Sequence, residues 1–160
     1  MNTSRQLLLI INPVSGIGSK DTIEPLVRSR LEPLGFEIST AYTCAHGDAT
    51  RLAGNAVDAG FYGVIAAGGD GTVNETAAAL CHSNTALGII PCGSGNGLAR
   101  HLGIPLDPLS AVKIIAENHI VKSDYGAVND MPFFCTFGVG FDAAVSSNFA
   151  RQHRRGKLAY

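Results

Sequence analysis

The chain has 160 residues, 46% of them apolar and 16% charged, enough for one domain with a substantial core. Its net charge of −1 leaves no electrostatic footprint for nucleic acid, and no Lys/Arg run marks a polybasic membrane anchor. No apolar stretch approaches the roughly 20 residues of a spanning helix. Cys44, Cys81, Cys92 and Cys135 have neither CxxC spacing nor histidines at zinc-site distance, and no signal peptide is visible. Reduced thiols in a cytoplasmic protein are therefore predicted.

Leu7 to Ile11 is a continuous apolar run, suited to a central parallel strand. It ends at Asn12-Pro13-Val14-Ser15-Gly16-Ile17-Gly18-Ser19-Lys20, where Pro13 stops the ladder and two glycines permit a tight turn. Lys20 invites comparison with a P-loop, but the GxxxxGK[ST] spacing is absent. A helix is predicted next, with Ile23, Leu26, Val27, Leu31 and Leu34 on its apolar face and Gly35 as its stop. Phe36, Ile38, Thr40 and Tyr42 alternate as in a second strand, which Thr43 closes. Asp48 is placed to cap a helix bearing Ala49, Leu52, Ala53, Ala56 and Val57, ended by Gly60.

Val64 to Ala67 reads as a short strand buried on both faces, running into Gly68-Gly69-Asp70-Gly71-Thr72-Val73-Asn74-Glu75. Thr72 and Glu75 have capping-box spacing, which predicts a helix starting at Thr72. The glycines leave no Cβ to hold a ligand off the backbone, and the N–H groups with the helix's positive end form a place for phosphate. Asp70 can also bond the N–H groups of that same helix. Ala86 to Ile90 is a further strand, followed by the turn Pro91-Cys92-Gly93-Ser94-Gly95-Asn96-Gly97 and a helix. Asp107-Pro108 starts another, with Leu109, Val112, Ile115 and Ala116 as its buried face.

This alternation predicts an α/β fold, a three-layer α/β/α domain around a parallel sheet. Ligands bind such sheets at the carboxyl ends of the strands, so the turns at 12–18, 68–71 and 93–97 should converge there. Past residue 125 the helical period stops, and Phe133, Phe134, Phe137 and Phe141 stand among turn residues. The expected division is an α/β domain over 1–125 and the start of a mostly β second domain over 126–160. Some 35 residues hardly bury a core of their own, so the sequence reads as cut. The short basic stretch Arg151 to Lys157 reads as a solvated face, and the five histidines match no triad or metal spacing. Ser94 has no G-x-S-x-G elbow around it.

Three motifs, Asn12-Pro13-x-Ser15-Gly16, Gly68-Gly69-Asp70-Gly71-Thr72-x-Asn74-Glu75 and Pro91-x-Gly93-Ser94-x-Asn96-x-x-Ala99-Arg100, together resemble the diacylglycerol kinase catalytic-domain family. Gly138-x-Gly140-Phe141-Asp142 is similar to the signature that opens the family's second domain. The resemblance implies a lipid kinase: ATP as phosphoryl donor, Mg²⁺, and a lipid hydroxyl of diacylglycerol or sphingoid type at a membrane surface. It implies no nucleic-acid partner, and leaves a homodimer and peripheral membrane attachment open. Carried over by position, the nucleotide contacts are Asn12, Pro13, Val14, Ser15, Gly16, Thr43, Gly68, Gly69, Asp70, Gly71, Thr72, Val73, Asn74, Glu75, Ser94, Gly95 and Asn96. Asp70 is the expected catalytic and metal-binding carboxylate, with Asp124 as a second metal candidate. Gly97 stands where many members have Asp, and the family's general base is an acidic residue later than any here. The 160 residues are therefore expected to bind nucleotide without phosphorylating lipid, and Asp142 reads as structural. The alternatives are an NAD kinase-type enzyme, which usually places its Asn-Glu pair much later than Asn74-Glu75, and a non-catalytic nucleotide-binding module.

Overall fold

The computed structural model describes residues 5–16, 20–140 and 143–144; Ile17, Gly18, Ser19, Phe141, Asp142 and the basic stretch 151–157 lie outside them. Its first four strands are β1 (Arg5–Ile11), β2 (Phe36–Tyr42), β3 (Gly63–Gly68) and β4 (Ala86–Pro91). They form one parallel sheet in the order β2-β1-β3-β4. The helices are α1 (Ile23–Leu31), α2 (Asp48–Asp58), α3 (Asp70–Leu80), α4 (Gly97–His101) and α5 (Pro108–Glu117). Alternation along β1 divides the core. Leu7, Leu9 and Ile11 meet Ile23, Val27 and Leu31 of α1 and Val112 of α5, while Leu8 and Ile10 meet Ala49, Ala53 and Ala56 of α2 and Leu80 of α3. Each large aliphatic side chain enclosed in this way contributes about 1.5–3 kcal/mol. The expected three-layer α/β/α architecture is thus the observed one.

The register aligns the strand ends. Tyr42 pairs with Ile11, Ile11 with Ala67, and Ala67 with Ile90, so Thr43, Asn12, Gly68 and Pro91 stand in one row. Backbone bonds continue across it, from the Thr43 N–H to the Ile11 carbonyl, Asn12 to Ala67 and Cys92 to Gly68. Chain direction across the sheet reverses between β1 and β3, the switch point where ligands enter such sheets.

Some expectations need correction. Leu34 lies in a 3-10 turn (Glu32–Leu34) that breaks the 3.6-residue period, and it is exposed; Gly35, with φ +85°, then stops the chain as expected. Leu109 in the first turn of α5 is also exposed, although Asp107 does cap that helix through the Ser110 N–H. Helix α3 starts at Asp70, two residues before Thr72, and no capping box forms. Asp48 opens α2 behind a Gly47 N-cap and reaches backward, its Oδ2 accepting from the N–H groups of Cys44 (2.8 Å) and Ala45 (3.0 Å).

After α5 the chain runs extended to an antiparallel hairpin, β5 (Gly126–Val128) and β6 (Met131–Phe133), joined through Asn129-Asp130 with both φ positive. This is the expected change to antiparallel β-structure. Phe133 contacts Phe137 and Tyr125 contacts Phe134, while Phe137 itself is exposed. Among the described residues, no helix is long and apolar enough to cross a membrane.

Asp48 provides a test of α2 anchoring. The Cys44 N–H, the Arg51 guanidinium and the Ala45 N–H hold its carboxyl down to about 2, below the usual 3.8. A depressed native value stabilises the fold above pH 3.8, and that contribution disappears as pH falls from there toward 2. In acid titrations of stability, Asp48→Asn should flatten the profile in this window; an unchanged profile would show that the carboxylate does not anchor the loop.

Candidate phosphate-binding site

Three turns meet at the switch point, and one helical segment ties them. From α3, Asp70 reaches the turn after β4, with Oδ2 accepting from the Asn96 N–H (2.8 Å) and Oδ1 from the Gly97 N–H (2.6 Å). Two residues on, Thr72 Oγ1 accepts from Asn12 Nδ2 (2.9 Å), reaching the turn after β1. Asn12 organises that turn, accepting from the Val14 N–H at Oδ1 and from Ser15 at its carbonyl. Asn96 does the same after β4, where its amide and the backbone of Gly93 exchange two bonds of 2.8 Å. Arg100 Nε adds a bond to the Gly95 carbonyl.

Glycine is needed here first for turn-to-turn packing. A Cβ on Gly93 would stand 2.6 Å from Gly69 Cα, and one on Gly69 would stand 3.3 Å from Gly93 Cα. Gly16, with φ +59°, would drive a Cβ into the Cys92 carbonyl. Gly71 differs, because a Cβ there meets nothing within 4 Å. It sits in the first turn of α3, whose N-cap, Gly69, has no side chain to bond the helix's leading N–H groups. Among the described residues, no hydrogen bond takes the N–H groups of Asp70, Gly71 or Thr72. The α4 start is different, since Asp70 already occupies it. The positive end of α3 is therefore the one left open between the turns, a place for an anion.

The remaining expected residues divide. Thr43, Asn12 and Gly68 share the strand-end row, and Pro13 and Val14 are exposed on the β1 turn. Asn74 is exposed on α3, and Ser94 and Gly95 are partly exposed on the β4 turn. Val73, by contrast, belongs to a core cluster with Ala66, Ile89 and Ala99, so its side chain serves packing. Glu75 points toward α2, where Oε2 accepts from the N–H groups of Gly47 (3.0 Å) and Ala49 (3.3 Å) and Oε1 meets His46 Nδ1 (2.6 Å). Sequence reasoning missed both this partner and the Asp70 bonds across to the β4 turn, because each joins residues more than 25 positions apart.

Asp124 stands exposed between α5 and β5. Among the described residues, no cluster of three or more His, Cys, Asp or Glu side chains is placed to hold a metal ion. A single carboxylate beside an open anion site does fit Mg²⁺, which is commonly held by one or two carboxylates together with substrate phosphates. Near the same junction, burial pushes the Cys92 thiol up, with the Lys20 charge opposing it. Cys135 lies against the Gly97 side, its Sγ 3.0 Å from where a Cβ on Gly97 would stand.

The family model for the diacylglycerol kinase catalytic domain matches residues 6–128. A diacylglycerol kinase of Staphylococcus saprophyticus is 39% identical over 127 residues, covering 78% of this chain and 42% of that protein. A protein of Klebsiella pneumoniae described as "Probable lipid kinase YegS-like" is 38% identical over 145 residues, covering 88% of this chain and 47% of its own length. The crystal structure of a diacylglycerol kinase from Bacillus anthracis superposes with a TM-score of 0.73 at 30% identity, over 81% of this chain and 48% of that one. The chain thus spans less than half the length of these relatives.

Two substitutions separate the roles of the glycines. Gly71→Ala meets no steric obstacle and improves helix propensity, so stability should hold or rise by about 0.5–1 kcal/mol while anion affinity falls. Gly93→Ala should destabilise the fold, since the Gly69 backbone cannot move aside like a flexible side chain. Urea melts with phosphate-ligand titrations check both; wild-type affinity in Gly71→Ala would show that the open face of α3 binds nothing. Asp70→Asn should weaken the site even without a metal, because the amide turns an NH₂ toward one of two backbone donors. Metal-free affinity equal to wild type would remove that clamp from the argument.

Proposed function

The chain belongs to the diacylglycerol kinase catalytic-domain family, and on that footing we propose that it is the nucleotide-binding part of an ATP-dependent lipid kinase. The observation that carries this reading is the open N-terminus of α3 at the switch point, ringed by three turns that hydrogen-bond to or pack on one another. Phosphoryl transfer needs positioning and charge neutralisation more than covalent help, which suits a site of backbone N–H groups.

In this reading residues 1–125 bind the donor, and the hairpin at 126–133 begins the lipid-binding part. The N–H groups of Asp70, Gly71 and Thr72 receive phosphate oxygens. The turns 12–16 and 93–96 and Thr43 close around the remainder of the nucleotide. Asp70 is the carboxylate that would meet Mg²⁺, which when bound neutralises charge on the phosphates. Asp70 thus acts twice, holding the β4 turn with its in-place bonds and presenting its remaining lone pairs to the metal. Val73 and Glu75 leave the set of side chains that face the nucleotide, because one is in the core and the other is bonded to α2.

Saturating ATP with Mg²⁺ should raise the melting temperature of the chain by on the order of 5 °C, since a ligand bound only by the native state stabilises it by mass action. A melting curve that ATP leaves unmoved and NAD shifts would overturn the lipid-kinase assignment in favour of an NAD kinase-type enzyme.

A further inference from the structure

Glu75 lies on the segment of α3 that organises the turns, and its carboxylate serves a different helix. Its side chain is only 16% exposed. It takes the N–H groups of Gly47 and Ala49 at the start of α2, and faces His46 at 2.6 Å. These three residues sit on or next to the loop that leaves Thr43 at the end of β2. The loop's other anchor is Asp48, which binds the Cys44 and Ala45 N–H groups. Two carboxylates thus hold this loop from opposite sides, one from α2 itself and one from α3. Gly47, with φ +87°, is the point at which the chain turns into α2.

We infer that Glu75 is a positioning residue for the nucleotide site, fixing the loop 43–47 relative to the α3 N-terminus through its bonds to the α2 start. The inference rests on the reading of the strand ends as a nucleotide site. Asp70, Thr72 and Glu75 then share one task over one and a half helical turns: they reach the loops after β4, β1 and β2 respectively. A loop held to the helix that receives the phosphates keeps a constant distance between that end of the nucleotide and whatever Thr43 touches. Loss of this constraint costs affinity for the nucleotide without altering the phosphate-facing groups, because the Glu75 side chain bonds Gly47, Ala49 and His46 and neither Asp70 nor Gly71. A second α2–α3 link, from Thr50 Oγ1 to the Glu75 carbonyl (3.2 Å), lies beyond the loop and provides a control.

The test measures Mg-ATP affinity of the 160-residue chain by calorimetry for wild type, Glu75→Ala, Glu75→Gln and Thr50→Ala, with backbone hydrogen exchange across 43–49 recorded without ligand. Glu75→Ala should bind about tenfold more weakly, a loss of ~1.4 kcal/mol. Glu75→Gln keeps one oxygen for the two N–H groups and turns an NH₂ toward the His46 ring, so it should bind within about threefold of wild type. Thr50→Ala should bind as wild type does. Exchange at 44–49 should quicken in Glu75→Ala alone. Wild-type affinity in Glu75→Ala, or equal losses in Glu75→Ala and Thr50→Ala, would overturn the inference, the second by showing that helix packing is what matters. Unchanged exchange in Glu75→Ala would overturn it without reference to any ligand. Failure of the wild-type chain to bind Mg-ATP, with exchange altered as expected, would instead overturn the nucleotide reading of the site and leave the loop anchor standing.

Discussion

The Asp70 carboxylate stands at the start of one helix and accepts two backbone hydrogen bonds from the start of another. That single contact settles which helix end is capped and which is open. Helix α4 is only five residues long and has little dipole of its own, so a charged acceptor compensates its leading N–H groups. The α3 N-terminus then remains without a side-chain cap. Were the pairing reversed, the longer helix would be the capped one and its leading N–H groups would be taken.

Around this contact the turns depend on one another sterically. Gly69 and Gly93 touch through their Cα atoms, and Gly16 lies under the Cys92 carbonyl. A parallel sheet brings such turns together because the strand ends are in register, and the reversal of chain direction between β1 and β3 leaves room above them. The hydrophobic division of β1 between two helical layers packs the sheet on both faces, and the parallel register keeps those ends aligned. Burial therefore supplies the stability and positions the site in the same step. Charged side chains act here on loops, with Asp70, Glu75 and Asp48 each holding one through backbone N–H groups.

The strands and helices were readable because their signals are local. Leu7 to Ile11 and Val64 to Ala67 are apolar runs that fit only a strand covered on both faces, and Asp107-Pro108 marks a helix start with residues adjacent in the chain. The glycine turns were readable as a class, since tight backbone approach excludes side chains. Leu34 and Leu109 were misread at helix ends, where the period breaks, and the polar errors fell where a short motif admitted two partners. Thr72 and Glu75 have capping-box spacing, but Thr72 found Asn12 and Glu75 found the α2 start. The same holds for Asp48, which bonds backward in place of capping forward.

By itself the sequence determined the order of strands and helices, the location of the three turns and the presence of a carboxylate among them, because periodicity and glycine requirements act over a few residues. Only the tertiary structure decided what each polar group of the site holds. Asp70 could satisfy its own helix or another, and Glu75 its own helix or a neighbour; each choice depends on which N–H groups the sheet register brings within 3 Å of its oxygens. Those distances join residues 26 to 28 positions apart, and no local pattern in the chain encodes them.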